Sequence, residues 1–176
     1  IVGISPADGA LLWETDFPGR IAVAPTPIVR DNEVYVTAGY GAGCKLVRID
    51  PKNKVTTVYE NKVMKNHHGG VVLVNGYLYG FNNSILTCLE FATGKMMWRD
   101  RSVGKGALVY ADGNLYVQSE NNVVGLVEAT STGYKEKGRF TIADQGFPSW
   151  AHPVVSGGRL YVRDQGMLTA YNIKAN

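Results

Sequence analysis

The sequence predicts an all-β protein: a β-propeller of four-stranded antiparallel blades, with about four blades present as a partial ring or as half of an eight-bladed propeller. Three observations predict it. A hairpin recurs four times with a tyrosine in register, a third and usually a fourth apolar stretch follow each hairpin, and the composition favours strands joined by tight turns.

The hairpins are Ile28–Val36, Leu73–Gly80, Val109–Val117 and Val154–Val162. Each reads as an apolar pair, a short polar turn, then an apolar residue and a tyrosine. The tyrosines are Tyr35, Tyr79, Tyr116 and Tyr161, spaced by 44, 37 and 45 residues. The turns Asp31-Asn32, Asn75-Gly76, Asp112-Gly113 and Gly157-Gly158 use residues that tolerate the positive φ of tight hairpins. Third strands follow at Lys45–Asp50, Leu86–Phe91, Val123–Glu128 and Met167–Asn172. Fourth strands follow at Val55–Tyr59, Lys95–Trp98 and Tyr134–Phe140. Four short strands in each repeat of about 42 residues is the arithmetic of a propeller blade. An ordinary β-sandwich shares the short strands but does not repeat one turn and one tyrosine four times.

Composition agrees. Glycine contributes 21 of 176 residues, above the usual roughly 7%, and tyrosine contributes 10. The chain reads as a single partial propeller domain over residues 1–176, with a partial blade at 1–16 and blades at 20–60, 66–100, 104–141 and 150–176. Its net charge of +3 comes from scattered Lys and Arg with no basic run, so nucleic acid is not an expected partner. Cys44 and Cys88 fit no metal-ligand or redox spacing and read as buried free thiols. No apolar run approaches the roughly 18 residues of a membrane span, and no signal peptide is visible. The opening at Ile1 rather than Met reads as a truncation, in which a leader would be lost with the missing part.

Phe91-Ala-Thr-Gly-Lys-Met-Met-Trp98 resembles the tryptophan docking motif of the quinoprotein (pyrroloquinoline quinone)-like β-propeller repeat family, and Ser5-Pro-Ala-Asp-Gly-Ala-Leu-Leu-Trp13 is a looser copy. The resemblance implies that Gly94 turns the chain while Trp13 and Trp98 stack between neighbouring blades. Asp50–Lys54 and Glu128–Gly133 take the equivalent places without the tryptophan, so the motif is degenerate in half the repeats. Members of the family include alcohol dehydrogenases and a propeller lipoprotein of the outer-membrane assembly machinery. The dehydrogenases hold their quinone against two adjacent cysteines, with a Glu/Asn/Asp set around calcium. No Cys-Cys pair occurs here, so no catalytic residue and no cofactor is assigned to this chain. The expectation is a non-catalytic scaffold or binding module with a protein or polysaccharide partner, in the periplasm or outside the cell. The alternative is a fragment of a quinone- and calcium-dependent oxidoreductase whose active residues lie elsewhere.

The expected strand order leaves the ring unfinished, to be completed by further blades of a longer parent chain or by a second copy. Ligands of propellers sit where the loops entering the inner strands meet those between second and third strands. The entering loops carry His67, His68, Lys105, Trp150 and His152, which are the expected ligand-binding residues of this funnel face. Imidazoles suit a metal or a polar ligand, but adjacent histidines diverge and no acidic ligand spacing supports them, so no metal site is assigned. Ser5, Ser149 and Ser156 lack a nucleophile-elbow context. Gly39–Gly43 joins two strands and leads into no helix, which argues against a phosphate loop.

Overall fold

The structure, a computed structural model, describes residues 1–174; positions 175 and 176, at the end of the expected final blade, lie outside the described residues. Five antiparallel sheets follow one another along the chain. The first pairs β1 (Val2–Ile4) with β2 (Leu11–Glu14). Blade A holds β3 (Ile28–Arg30), β4 (Glu33–Ala38), β5 (Gly43–Ile49) and β6 (Val55–Asn61). Blade B holds β7 (Val71–Val74), β8 (Tyr77–Asn82), β9 (Ile85–Glu90) and β10 (Met96–Asp100). Blade C holds β11 (Gly106–Ala111), β12 (Asn114–Ser119), β13 (Val123–Glu128) and β14 (Glu136–Thr141). Blade D holds β15 (Val154–Ser156), β16 (Arg159–Asp164) and β17 (Met167–Asn172). Each sheet is a meander in chain order, and the first strands β3, β7, β11 and β15 approach one another at the centre. The fold is thus the all-β partial propeller that the repeat predicts. Among the described residues no helix is long and apolar enough to cross a membrane.

The repeat is a repeat of register. Tyr35, Tyr79, Tyr116 and Tyr161 stand opposite Ile28, Val72, Val109 and Val154 in the first hairpin of their blades. Positive φ recurs in the turns at Asp31, Asn75, Gly76, Asp112, Gly113, Gly157 and Gly158, the geometry that lets a two-residue turn follow the strand twist. In blades A and B the second and third strands are the most buried, and in blades C and D the second strand is. Apolar side chains of second and third strands form the inter-blade clusters around Tyr35, Leu46 and Leu89, and around Tyr79, Leu115 and Val127. Cys44 and Cys88 sit inside these clusters as free thiols, each raised by burial, Cys88 to about 11.

The outer strands carry a second regularity. In the first sheet and in blades A, B and C, the pairing of third and fourth strands slips by one residue, an extra residue being left out at Leu12, Val58, Met97 and Lys137. Such a bulge bends the outer strand and aims the next side chain across the edge. That next residue is Trp13, Tyr59, Trp98 and Gly138. Trp98 is buried against Tyr79 and Tyr134, and its Nε1 donates to the Thr130 carbonyl of blade C at 2.7 Å. Tyr59 donates its hydroxyl to the Phe91 carbonyl of blade B at 2.9 Å. Trp13 packs with Ile49 and Val55 of blade A. Gly94 has φ +68, and a Cβ there would meet the Tyr59 ring at 2.7 Å, so the turn must be glycine for the neighbouring blade to close on it. Blade A, which lacks the docking tryptophan in sequence, therefore docks with a tyrosine. Blade C presents no side chain at this position.

Candidate functional site at the loop-bearing end

The segments entering the inner strands and the turns between second and third strands lie at one end of the propeller. They bring side chains from four blades together. His68 Nε2 lies 2.7 Å from Glu120 Oε1, Lys105 Nζ 2.8 Å from the same oxygen, and Trp150 Nε1 3.0 Å from it. A carboxylate only accepts, so all three donate and the His68 proton sits on Nε2. His152 Nε2 donates to the His68 carbonyl at 2.7 Å. His67 turns the other way and meets the Tyr40 ring edge-on at 4.8 Å, with its own ring 5.1 Å from that of His68.

Backbone contacts fix this arrangement. Glu120 N donates to the Lys105 carbonyl, and Ser149 N donates to the Glu120 carbonyl, so the turn carrying Glu120 ties the entries to blades C and D. Gln118 Nε2 donates to Ser149 Oγ at 2.7 Å and to the Arg163 carbonyl at 3.1 Å, holding the segment before Trp150. Asp164 accepts from Gln145 N, and Asp144 accepts from Asn122 Nδ2 and Gly146 N. Gly70 has φ +70, and a Cβ there would meet the His152 ring at 2.9 Å, which accounts for one glycine of the His-His-Gly-Gly run.

The electrostatics follow the geometry. Burial pushes the Glu120 carboxyl up, but the bonds from Lys105 and His68 outweigh it and hold the group below the ordinary glutamate range. His67 is lowered, first by burial and then by the Lys105 and His68 charges. Around this polar centre Tyr40, Phe147 and Trp150 are exposed by 60%, 70% and 63%. The arrangement can hold a rigid, partly charged aromatic surface toward a partner. Among the described residues no group of three or more His, Cys, Asp or Glu side chains is placed to hold a metal ion.

The five residues singled out from the sequence thus share one end, and His68, Lys105, Trp150 and His152 share one network. His67 stands beside it on Tyr40. The residue that organises them, Glu120, was not among them. Its signal is an acid in the turn after β12, at the loop-bearing end and among cations.

The profile of the family described as outer membrane protein assembly factor BamB matches residues 1–57 and 46–175. None of the curated proteins matches the chain. The crystal structure of BamB from Moraxella catarrhalis superposes with a TM-score of 0.74 at 17% identity, over 99% of this chain and 52% of that one. The computationally designed protein Ika8 superposes at 0.73 with 9% identity, over 97% and 51%. A europium-containing methanol dehydrogenase reaches 0.50 at 16% identity, over 61% and 23%. The chain spans about half the length of the first two, and at these identities the likeness is one of fold.

Proposed function

The chain belongs to the BamB family of outer membrane protein assembly factors, and from that membership we propose that it is a non-catalytic propeller scaffold that engages a protein or polysaccharide partner outside the cytoplasm. The rest of the wheel comes from further blades of a longer parent chain or from a second copy. Partner contact centres on the loop-bearing end. The observation that carries this reading is the convergence of His68, Lys105 and Trp150 on one Glu120 oxygen. It fixes an exposed indole between blades, and rigid exposed aromatics beside paired charges are the anchors of recognition surfaces.

The quinone and calcium of the oxidoreductase alternative do not fit these residues. Cys44 and Cys88 are buried in separate blades, and the Glu120 oxygen that faces the cluster is already the acceptor of three donors. Titration with pyrroloquinoline quinone and Ca²⁺ should leave quinone absorbance and Trp fluorescence unchanged; tight binding would overturn the non-catalytic reading. The place of contact is tested by photo-crosslinking groups at Tyr40 and Phe147, with controls at Asn75 and Asp112 on the opposite end. The reading expects partner crosslinks at the first pair that disappear with Glu120→Ala, and it fails if the control positions crosslink equally.

A further inference from the structure

Three of the four bulged outer strands send an aromatic side chain onto the next blade, and one does not. At the junction of blades C and D the docking position is Gly138, paired with Leu126 just as Trp98 is paired with Cys88 and Tyr59 with Leu46. Among the described residues, a Cβ built on Gly138 meets nothing within 4 Å. The space is an apolar groove of about 340 Å³ lined by Tyr116, Leu126, Phe140, Leu160, Tyr171 and Ile173. Its far wall ends as the other slots do. Phe91, Ala129 and Ile173 each donate their N–H back to the glycine of the first hairpin turn, Gly76, Gly113 and Gly158. The Ile173 backbone therefore stands where the Phe91 carbonyl receives Tyr59.

We infer that this groove is a binding site for an aromatic side chain, a tryptophan or tyrosine on an extended segment of a partner protein. The groove is continuous with the interface between blades C and D, whose Phe140–Tyr171 contact, at 4.8 Å between ring centroids, borders it. Its sister slots state the chemistry of the occupant: a large flat apolar ring with one polar atom that donates to a backbone carbonyl. Dry apolar cavities of about 150 Å³ already bind benzene, so a groove of this size and lining suits an indole or phenol. Arg139, held at the rim by Glu136, leaves the floor apolar. This site is separate from the Glu120 network, and neither depends on the other.

The test uses N-acetyl-tryptophanamide and N-acetyl-tyrosinamide as probes, with N-acetyl-leucinamide as the comparison, followed by nuclear magnetic resonance. The tryptophan and tyrosine probes should bind with millimolar affinity, about tenfold tighter than leucine. Shifts should be confined to Leu126, Phe140, Leu160 and Tyr171, and Gly138→Trp should abolish them. Equal binding of the leucine probe, shifts elsewhere, or undiminished binding by Gly138→Trp would overturn the assignment. Should that variant fail to fold, the shift map of the unsubstituted protein decides alone. A dimer that forms in the unsubstituted protein and is lost in Gly138→Trp would overturn the partner segment in favour of a second copy of the chain.

Discussion

Tyr59 reaches across one blade boundary to the Phe91 carbonyl, and Trp98 reaches across the next to the Thr130 carbonyl, each bond spanning 32 residues. The phenol therefore does in blade A what the indole does in blade B. Tyr59→Phe should cost about 1 kcal/mol in denaturant unfolding, because one net hydrogen bond is lost. Trp98→Phe should cost more, about 1–3 kcal/mol, since it also leaves the Thr130 carbonyl short of its partner and thins a buried contact. A neutral result at both positions would remove these bonds from the account of blade packing.

Gly138→Trp should stabilise the chain. Gly138 has none of the left-handed φ values found elsewhere, and no described residue stands within 4 Å of a Cβ placed on it. A gain of about 1–2 kcal/mol with a raised Tm is expected from filling the groove and restricting the unfolded chain. The same substitution at Gly94 should do the opposite, because its φ is positive and Tyr59 stands in the way.

Acid should loosen the loop-bearing end. Glu120 is held below its ordinary value of 4.5, so between the two values the unfolded chain binds a proton that the native chain does not. Its contribution is fully present above that ordinary value and is lost as pH falls below it through the native one. His67, lowered from 6.5, adds a loss in the same direction that begins as pH falls below that figure. Stability measured against pH should fall through both windows. Glu120→Gln should flatten the lower one and shift the Trp150 indole N–H resonance while leaving that of Trp98 in place.

Neither thiol should react in the native protein. Cys44 and Cys88 are fully buried and raised by burial, so thiolate is scarce near neutral pH. Ellman's reagent should titrate no cysteine until denaturant is added, then both. Rapid reaction of either one in the folded chain would contradict the packing around Tyr35 or Tyr79.

Much of the architecture was legible because it is written locally. The Asn/Asp/Gly turns and the tyrosines three residues after them recur within each blade, and short-range register follows from turn chemistry. The docking side chains were only half legible. Trp13 and Trp98 follow their turn glycines at one fixed spacing, but Tyr59 stands two residues further on from Asn53, and only the bulge in the ladder shows that it is equivalent. Gly138 gives no signal at all, since a missing side chain looks like any other strand glycine. The candidate site divides the same way. Its five residues fall in the loops that the strand order sends to one end, whereas Glu120 meets His68 across 52 residues and the His152–His68 bond spans 84. Contacts of that range are set by blade packing and leave no local pattern.

One side chain per blade, placed by one bulge, adds a staple to the apolar clusters that already join that blade to its neighbour. Indole, phenol or nothing can stand there without disturbing the hairpins on either side. A single residue can therefore add or omit one staple between two spokes, as between blades C and D, while the buried cluster of Val124, Ile142, Leu160 and Val162 and the Gln118 bonds keep those blades joined.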